Sequence, residues 1–261
     1  MKFKLTHLGK ILWPELKITK ADLVDYYQGI SEKILGYLKD RPVTVQRCPK
    51  GINKECWIQK EAPEKLPSWI KTFSFKSLSD KHQVNYILVN NLDTLMWLVN
   101  LDSIEFHIWF SRVQSITIPD WIIFDLDLEK KGAKKDLIKV AYLLKEKLKE
   151  EKIFLKTTGK TGLHLLVENG KRLNYEKARK WARKIVLELD KKYPDLIATE
   201  ARIKKRKGRI FIDPAQNSLG RTMVAPYSLR TTKKATISMP ISWSDLKNFN
   251  QEKYNIKSIN S

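Results

Sequence analysis

The sequence predicts an α+β fold, because helical and extended patterns are both present and do not alternate strictly along the chain. Helical periodicity recurs in three segments, and short apolar runs typical of strands lie between them. The length of 261 residues is enough for one large domain or for two fused lobes with a substantial core.

Three helices are predicted from apolar residues that recur three and four positions apart. The first begins after Thr19, which is followed by Asp22 in the arrangement of a capping box, and its apolar stripe continues to Leu38. The second covers about 134–150, with lysines opposite its apolar side, and the third covers about 174–192. These stripes most simply form core faces, so no chemistry is assigned to them.

Strands are predicted from the short apolar runs between these helices. The predicted strands cover residues 43–47, 57–60, 86–89, 104–109, 121–128, 154–158, 162–167, 210–213 and 223–225. A break near residues 100–120 separates an N-terminal lobe of about 1–110 from a C-terminal lobe of about 111–261. We therefore expect a single domain, 1–261, built from two lobes.

The charge balance indicates a polyanionic partner. Lysine and arginine number 50 against 29 acidic residues, which gives a net charge of +21 and favours nucleic acid over a membrane surface. The alternative is a lysine-rich solvated surface, although glutamate usually rises with lysine in such proteins. The apolar content of 42% excludes a disordered chain, and no apolar run of about 18 residues predicts a membrane span.

The two cysteines and the first residues bear on the compartment. Cys48 and Cys56 have no partner motif that would make a zinc site, and we expect no disulfide framework. The N-terminus has no apolar signal-peptide segment. The expected compartment is therefore the reduced cytoplasm.

Acidic residues inside an apolar strand are the most informative feature. Asp125 and Asp127 alternate with Phe124, Leu126 and Leu128, so both carboxylates are expected on one face of a strand. Adjacent carboxylates repel each other, and a Mg²⁺ or Mn²⁺ ion would relieve that repulsion. The alternative is a strand end whose acids face solvent.

A third acid follows another short apolar run, since Asp213 comes directly after residues 210–212. Three carboxylates from adjacent strands would hold two divalent ions about 4 Å apart, as in enzymes of phosphoryl transfer. Asp213 could instead cap the turn at Pro214.

Two further segments can bind phosphate. Residues 156–164 place two glycines, threonine hydroxyls and Lys160 between two strands, and His164 follows. An ordinary hairpin turn is the alternative, and a lone strand histidine is more often structural. Residues 204–209 carry five cations around Gly208 and lead into the strand that ends at Asp213. Some of them are expected to neutralise a triphosphate, although such runs are usually solvated faces.

Taken together, these motifs resemble the archaeo-eukaryotic primase superfamily, in particular the polymerase domain of bacterial ligase D and its stand-alone relatives. The matching segments are THLGKILWP (6–14), TKAD (19–22), RPV (41–43), RCPKG (47–51), QKEAP (59–63), SIEFHIW (103–109), DLD (125–127), TGKTGLH (158–164), IDPAQN (212–217) and APYSLR (225–230). The resemblance implies a primase-polymerase core of mixed and antiparallel sheets flanked by helices, in two closely packed lobes. The sequence departs from the family pattern at two places. The loop that begins at Thr158 usually reads SGGKG in the family, and a second aromatic residue is common at the position of Ile58.

Site residues follow from the resemblance by position. It implies that Asp125, Asp127 and Asp213 bind two Mn²⁺ or Mg²⁺ ions and are catalytic. The implied nucleotide-binding residues are His107, Thr158, Gly159, Lys160, His164, Arg206, Gln216 and Arg230, with His107 beside the sugar. The implied DNA-binding residues are Lys10 and Lys20 at a 5′-phosphate, Trp57 stacked on the template, and Lys60.

The resemblance also implies an activity and partners. The expected activity is template-dependent primer extension that fills gaps and ends in non-homologous end joining, with a preference for ribonucleotides. Expected partners are DNA with 5′-phosphorylated gaps, overhangs or ends, NTPs and dNTPs, a Ku-like end binder, a separate ligase, and a second copy on DNA ends, in a prokaryotic, nucleoid-associated setting. A de novo primase and a non-catalytic DNA-end bridging module are the alternatives.

Overall fold

A computed structural model describes residues 1–76, 82–129, 132–199 and 206–259. The chain divides into two compact units. Unit 1 comprises Met1–Gln114, Thr222–Ser238 and Glu252–Ser261, and unit 2 comprises Ser115–Arg221 and Met239–Gln251. Two segments of the predicted C-terminal lobe, Thr222–Ser238 and Glu252–Ser261, belong to unit 1. The first returns because strand pairing joins residues 222–224 to residues 107–109, and an isolated antiparallel bridge joins Asn255 of the second to Thr236.

The secondary structure is mixed, which confirms the predicted α+β class. The described strands are β1 (Ile11–Trp13), β2 (Ile18–Thr19), β3 (Pro42–Arg47), β4 (Trp57–Gln59), β5 (Thr72–Phe75), β6 (Val84–Leu88), β7 (Ser103–Trp109), β8 (Trp121–Asp127), β9 (Ile153–Thr157), β10 (Leu163–Glu168), β11 (Ile197–Ala198), β12 (Ile210–Ile212), β13 (Thr222–Val224) and β14 (Pro240–Ile241). The described α-helices are α1 (Lys20–Gly29), α2 (Ser31–Leu38), α3 (Leu92–Asn100), α4 (Lys134–Lys147), α5 (Tyr175–Lys192), α6 (Trp243–Leu246) and α7 (Ile256–Ile259).

All nine predicted strands are present, with ends displaced by at most two residues. The predicted capping box is also present, since the Thr19 hydroxyl accepts from Asp22 N and the Asp22 side chain accepts from Thr19 N. The single helix predicted beyond Thr19 is two helices, because the helix ends at Gly29 and a new one starts after Ile30. Glycine is a poor helix former, and Gly29 is the last residue of α1.

Unit 1 contains a sheet in the order β13-β7-β3-β6-β5, with β4 paired to β3, and a separate β1–β2 pair. β7 is interior to the sheet, antiparallel to both β13 and β3. Its alternation places buried Phe106 on one face, where Tyr27 of α1 packs edge-on against the ring. Glu105 and His107 therefore lie on the opposite face of β7.

Unit 2 contains a sheet in the order β11-β12-β8-β10-β9-β14. β8 is interior, antiparallel to β12 and β10. Phe124 and Leu126 belong to a buried core that includes Val140 of α4 and Val186 of α5. Because side chains alternate along a strand, the intervening acids of β8 lie on the other face. No helix of the described residues is long and apolar enough to cross a membrane.

No disulfide framework was expected, whereas Cys48 and Cys56 form a disulfide. β3 and β4 are antiparallel, and Arg47 pairs with Trp57 across them. The next residue on each side of that pair is a cysteine, so the hairpin brings the two sulfurs together. Sequence separation alone could not show this, because it does not give the register of β4 on β3.

Candidate active site

The two acids of the DLD motif and the third acid lie at the ends of neighbouring strands. β12 pairs with β8 so that Phe211 is opposite Asp127, and Asp213 follows directly after β12. Asp213 N donates to the backbone oxygen of Asp125 at 3.4 Å. The backbone therefore brings the three carboxylate-bearing residues to one edge of the unit 2 sheet.

These acids repel one another. Burial and the charge of Asp125 raise the pKa of Asp127 to about 6, with a further contribution from Asp213 and an opposing one from Arg206. A carboxylate in this position is costly to ionise unless a cation is added. The donor set consists of three hard oxygen ligands, which fits Mg²⁺ or Mn²⁺.

In the structure the carboxylate oxygens of Asp125, Asp127 and Asp213 do not point towards one common position. Among the described ranges, no group of three or more His, Cys, Asp and Glu side chains is arranged to hold a metal ion. Asp125 Oδ1 lies 3.2 Å from His164 Nε2, and Asp213 Oδ1 accepts from Ala215 N at 2.9 Å. Asp213 thus caps the short 3₁₀ turn Pro214–Gln216, which is the alternative role that its place before proline indicated.

A row of polar residues crosses the same face of the sheet. In the register of β8, β10 and β9, Asp125 is opposite His164 and His164 is opposite Lys156. His164 and Lys156 are both buried. Lys156 was not among the predicted site residues, and a lysine inside a predicted strand, two places before the TGKTG loop, was the signal that could have found it.

The loop between β9 and β10 is closed by its own hydroxyls. Thr158 Oγ1 accepts from Lys160 N at 3.2 Å and from Gly162 N at 3.1 Å, and Gly159 N donates to Thr157 Oγ1 at 3.3 Å. The sequence predicts that these backbone N–H groups bind phosphate. In the structure they donate to threonine hydroxyls and close the tight hairpin. Gly162 is required by close approach, since a Cβ there would collide with Leu126 O. Lys160 is exposed.

The basic segment 204–209 serves more than one purpose. Lys204 and Lys205 lie outside the described residues. The Arg206 guanidinium stacks on the Phe211 ring at 3.7 Å from its centroid, and its Nε is 4.0 Å from Glu129 Oε1. Arg209 donates to backbone oxygens of residues 194, 197 and 206, so it is structural. Gln216 lies in the 3₁₀ turn that Asp213 caps.

Two of the predicted nucleotide residues belong to unit 1. His107 Nε2 lies 2.9 Å from Glu105 Oε2, and Arg230 Nε lies 3.4 Å from the same oxygen. Thr231 donates to Glu105 Oε1 from both its backbone N and its hydroxyl, at 2.8 and 2.7 Å. Glu105 lies in the matching segment SIEFHIW (103–109), but it was not predicted as a site residue.

The lysines expected at a 5′-phosphate share one carboxylate in unit 1. Lys10 Nζ is 2.6 Å and Lys20 Nζ is 3.6 Å from the two oxygens of Asp102. Lys10 also donates to Pro49 O, at 3.2 Å. Lys20 is buried, and that burial lowers its pKa, while Asp102 opposes the decrease. Two cations around a single acid leave an excess positive charge, which suits an anion.

An exposed aromatic residue lies in the same unit. Trp57 is 43% exposed, and the Arg47 guanidinium is 5.3 Å from its ring centroid. Arg47 also donates to Gln59 Oε1 at 2.9 Å, which fixes it beside the ring. Lys60 follows on the exposed surface. A base can stack on such a platform.

Comparison with known proteins identifies the family of this chain. The family model for the LigD primase-polymerase domain matches residues 19–261. The chain belongs to the LigD primase-polymerase family. The resemblance drawn from the motifs is thereby confirmed.

Relatives of the LigD family extend beyond this chain. It is 30% identical over 248 residues to the bifunctional non-homologous end joining protein LigD of Bacillus subtilis, covering 94% of this chain and 39% of that protein. It is 28% identical to the multifunctional LigD of Mycolicibacterium smegmatis, covering 94% of this chain and 32% of that protein. The chain thus spans between about a third and two fifths of these relatives.

A solved structure of the LigD family has the same fold. The polymerase domain of Mycobacterium tuberculosis ligase D, in complex with DNA, superposes with a TM-score of 0.91 at 25% identity. The match covers 99% of this chain and 93% of that one. The α+β architecture is therefore that of the LigD polymerase domain.

Proposed function

We propose that this chain is a template-dependent nucleotidyltransferase that extends a primer 3′-hydroxyl to fill gaps and ends of broken DNA. The observation that carries the proposal is the set of three acids on adjacent strand ends, with the pKa of Asp127 raised by burial and by its acidic neighbours. A module that only binds DNA gains nothing from mutually repelling carboxylates, because they also repel phosphates. Membership of the LigD primase-polymerase family supports the same reading.

Asp125, Asp127 and Asp213 would hold two Mg²⁺ or Mn²⁺ ions. Bound there, the ions would supply charge stabilisation for nucleotidyl transfer to a 3′-hydroxyl. His164, 3.2 Å from Asp125 Oδ1, restricts the orientation of that carboxylate. The capping contact from Ala215 N likewise restricts Asp213. Ligand binding would have to redirect the two side chains.

Nucleotide contacts are proposed for His107, Thr158, Gly159, Lys160, His164, Arg206, Gln216 and Arg230. Arginine suits phosphate because its guanidinium donates in a planar fork. The stacking of Arg206 on Phe211 and the ion pair of Arg230 with Glu105 reduce the conformational freedom of both groups. Less entropy is then lost when a phosphate binds. A preference for ribonucleotides is part of the proposal, with His107 beside the sugar.

DNA contacts are proposed for Lys10 and Lys20 at a 5′-phosphate, Trp57 on a template base, and Lys60 on the backbone. A phosphate would enter where Asp102 now balances two ammonium groups. The proposed setting is end joining in a prokaryotic cytoplasm, on 5′-phosphorylated gaps, overhangs and ends at the nucleoid. A Ku-like end binder, a separate ligase and a second copy on the opposite end are the proposed partners.

Primer extension on a duplex with a short gap and a 5′-phosphate tests the proposal. We expect nucleotide addition with Mn²⁺, loss of at least 100-fold in rate for Asp127→Asn, and no change for Glu176→Gln, an exposed acid on α5. Extension by Asp127→Asn at the wild-type rate would refute the assigned site. Absence of extension by the wild type, with 5′-phosphate-dependent binding retained, would instead indicate the end-bridging module. Synthesis without a primer would indicate a primase.

A further inference from the structure

The carboxylate of Glu105 is buried in the middle of the unit 1 sheet, with only 1% of the residue exposed. Burying an ionised carboxylate is costly unless it is paired and hydrogen-bonded. Burial alone would raise the pKa of Glu105, but the hydrogen bond from His107 and the charge of Arg230 lower it to about 2. Glu105 is therefore an anion at every pH at which a polymerase would work.

The two oxygens of this carboxylate have different partners. Oε1 accepts from Thr231, from its backbone N at 2.8 Å and from its hydroxyl at 2.7 Å. Oε2 lies 2.9 Å from His107 Nε2 and 3.4 Å from Arg230 Nε. One oxygen thus anchors the group, and the other faces two side chains to which the proposed function gives nucleotide contacts.

The fold holds both partners rigidly beside Glu105. His107 is two residues further along β7, so its side chain emerges on the same face. The segment leading to Arg230 is fixed by Tyr27, whose hydroxyl donates to Ile104 O at 2.6 Å and accepts from Leu229 N at 3.0 Å. Arg230 is only 8% exposed. If His107 or Arg230 rotated away, the buried carboxylate of Glu105 would lose a hydrogen bond or a counter-ion, which is costly.

We infer that Glu105 is a positioning residue for nucleotide selection, which acts by holding the proton of His107 on Nε2 and by fixing the orientations of His107 and Arg230. The inference rests on the proposed function, in which those two residues contact the nucleotide. A carboxylate can only accept, so the ring nitrogen that faces it carries the proton. The proton on Nε2 fixes the plane of the ring, so the edge of His107 that the proposed function places beside the sugar keeps one orientation towards a ribose 2′-hydroxyl. Deoxyribose has no hydroxyl at that position.

The charge of Glu105, rather than its shape, is the property that matters. Glutamine at this position keeps the acceptor for Thr231 but turns an amide donor towards His107 and Arg230. The donor favours the opposite imidazole tautomer, with Nε2 as acceptor, and removes the counter-ion of Arg230. The fold is kept by the Thr231 anchor, whereas the nucleotide-facing side chains lose their orientation.

The experiment compares Glu105→Gln with Thr231→Val, which removes one anchoring bond and leaves Oε2 and its partners unchanged. Single-nucleotide extension gives KM and kcat for NTP and dNTP, equilibrium dialysis gives nucleotide affinity without turnover, and unfolding curves give stability. For Glu105→Gln we expect the NTP KM to rise roughly 10-fold, the dNTP KM to rise less, and affinity for gapped DNA to be unchanged. Thr231→Val is expected to lose stability while its NTP-to-dNTP KM ratio stays within twofold of wild type.

Equal changes in both variants, or an unchanged KM ratio in folded Glu105→Gln, would overturn the inference. A measurement on the wild type does not depend on whether the variant folds. The ¹⁵N spectrum of the four histidine rings, assigned with His107→Gln, reports which nitrogen of His107 is protonated. A proton on Nε2 supports the inference, and the Nδ1–H neutral tautomer overturns it. Failure of the wild type to extend primers would count against the proposed function, while dialysis and the tautomer still test Glu105.

Discussion

The side chain of Asn217 pairs with both backbone groups of Ile123. Its Oδ1 accepts from Ile123 N at 2.8 Å, and its Nδ2 donates to Ile123 O at 2.8 Å. Asn217 is 2% exposed and lies four residues after Asp213, while Ile123 lies two residues before Asp125. This amide therefore extends the β8 edge where β12 has ended, and it holds the third acid next to the first two.

Replacing Asn217 by alanine should destabilise unit 2 and disturb the acids together. The change leaves two buried backbone groups of Ile123 without partners, which costs about 2–4 kcal/mol. Urea unfolding monitored by tryptophan fluorescence measures the loss. The matched control is Asn248→Ala, at an exposed asparagine of the same unit, which should change stability by less than about 0.5 kcal/mol. An equal effect of both substitutions would show that the Asn217 contacts contribute nothing specific.

The raised pKa of Asp127 gives a pH dependence with a definite sign. Its pKa is about 6 in the folded protein against 3.8 for an unperturbed aspartate, so the folded state binds the extra proton between those values. Stability contributed by Asp127 is therefore present below about pH 4 and lost as pH rises through about 6. Asp127→Asn should be more stable than wild type at pH 7.5 without metal, by about 1–2 kcal/mol after allowance for solvent screening.

The same difference should vanish near pH 4, where the wild-type carboxyl is protonated, and unfolding at the two pH values measures it. Added Mn²⁺ should raise the wild-type melting temperature at pH 7.5 and leave that of Asp127→Asn nearly unchanged. Asp136→Asn on α4 is the control acid. If the free energy of unfolding of Asp127→Asn differs from that of the wild type by the same amount at both pH values, the raised pKa of Asp127 is not the cause of the difference.

Periodicity predicted the longer elements because each has enough residues to show a repeat. Of the described strands it missed β1, β2, β5, β11 and β14, three of which have only two residues. It also missed α3, whose segment Leu92–Asn100 is apolar on nearly every side. Such a segment has no polar stripe to set its period. The acids Asp125 and Asp127 were found because charge inside an apolar run is conspicuous.

Side-chain contacts between residues that are far apart in the sequence could not be predicted from periodicity. Glu105 meets Thr231, 126 residues away, only after β13 returns to unit 1. The orientation of Asp125 towards His164 depends on the register of β8 and β10, which the sequence does not specify. The threonine hydroxyls that close the 158–162 loop also compete with the phosphate role assigned to it, and only geometry shows which backbone groups they engage.

The Cys48–Cys56 bridge should stabilise the hairpin of β3 and β4. A loop of this length contributes about 2.5 kcal/mol in the chain-entropy treatment, mainly by restricting the unfolded chain. Reduction with dithiothreitol, or Cys48→Ser combined with Cys56→Ser, should lower the free energy of unfolding by about that amount. The double variant should be insensitive to the reductant. An intact mass two hydrogens heavier without any reductant would show that the bridge does not form.

Lys10 and Lys20 should differ in what their loss costs. Lys20 is 1% exposed, donates to Asn100 O at 2.5 Å and balances Asp102, so Lys20→Ala should reduce both stability and DNA affinity. The Lys10 side chain is 28% exposed, and Lys10→Ala should leave stability nearly unchanged. It should still weaken binding to gapped DNA roughly 10-fold when a 5′-phosphate is present, since a charge-assisted contact is lost.

Fluorescence anisotropy on matched duplexes with and without the 5′-phosphate, at several salt concentrations, separates the two effects. Loss of Lys10 should lower the salt slope by about one and should abolish most of the preference for the phosphorylated end. Lys135→Ala, at an exposed lysine on α4, is the control for general charge, and it should retain that preference. If Lys10→Ala and Lys135→Ala lose affinity equally on both duplexes, the lysine pair around Asp102 acts only through the net charge of the surface and reads no terminal phosphate.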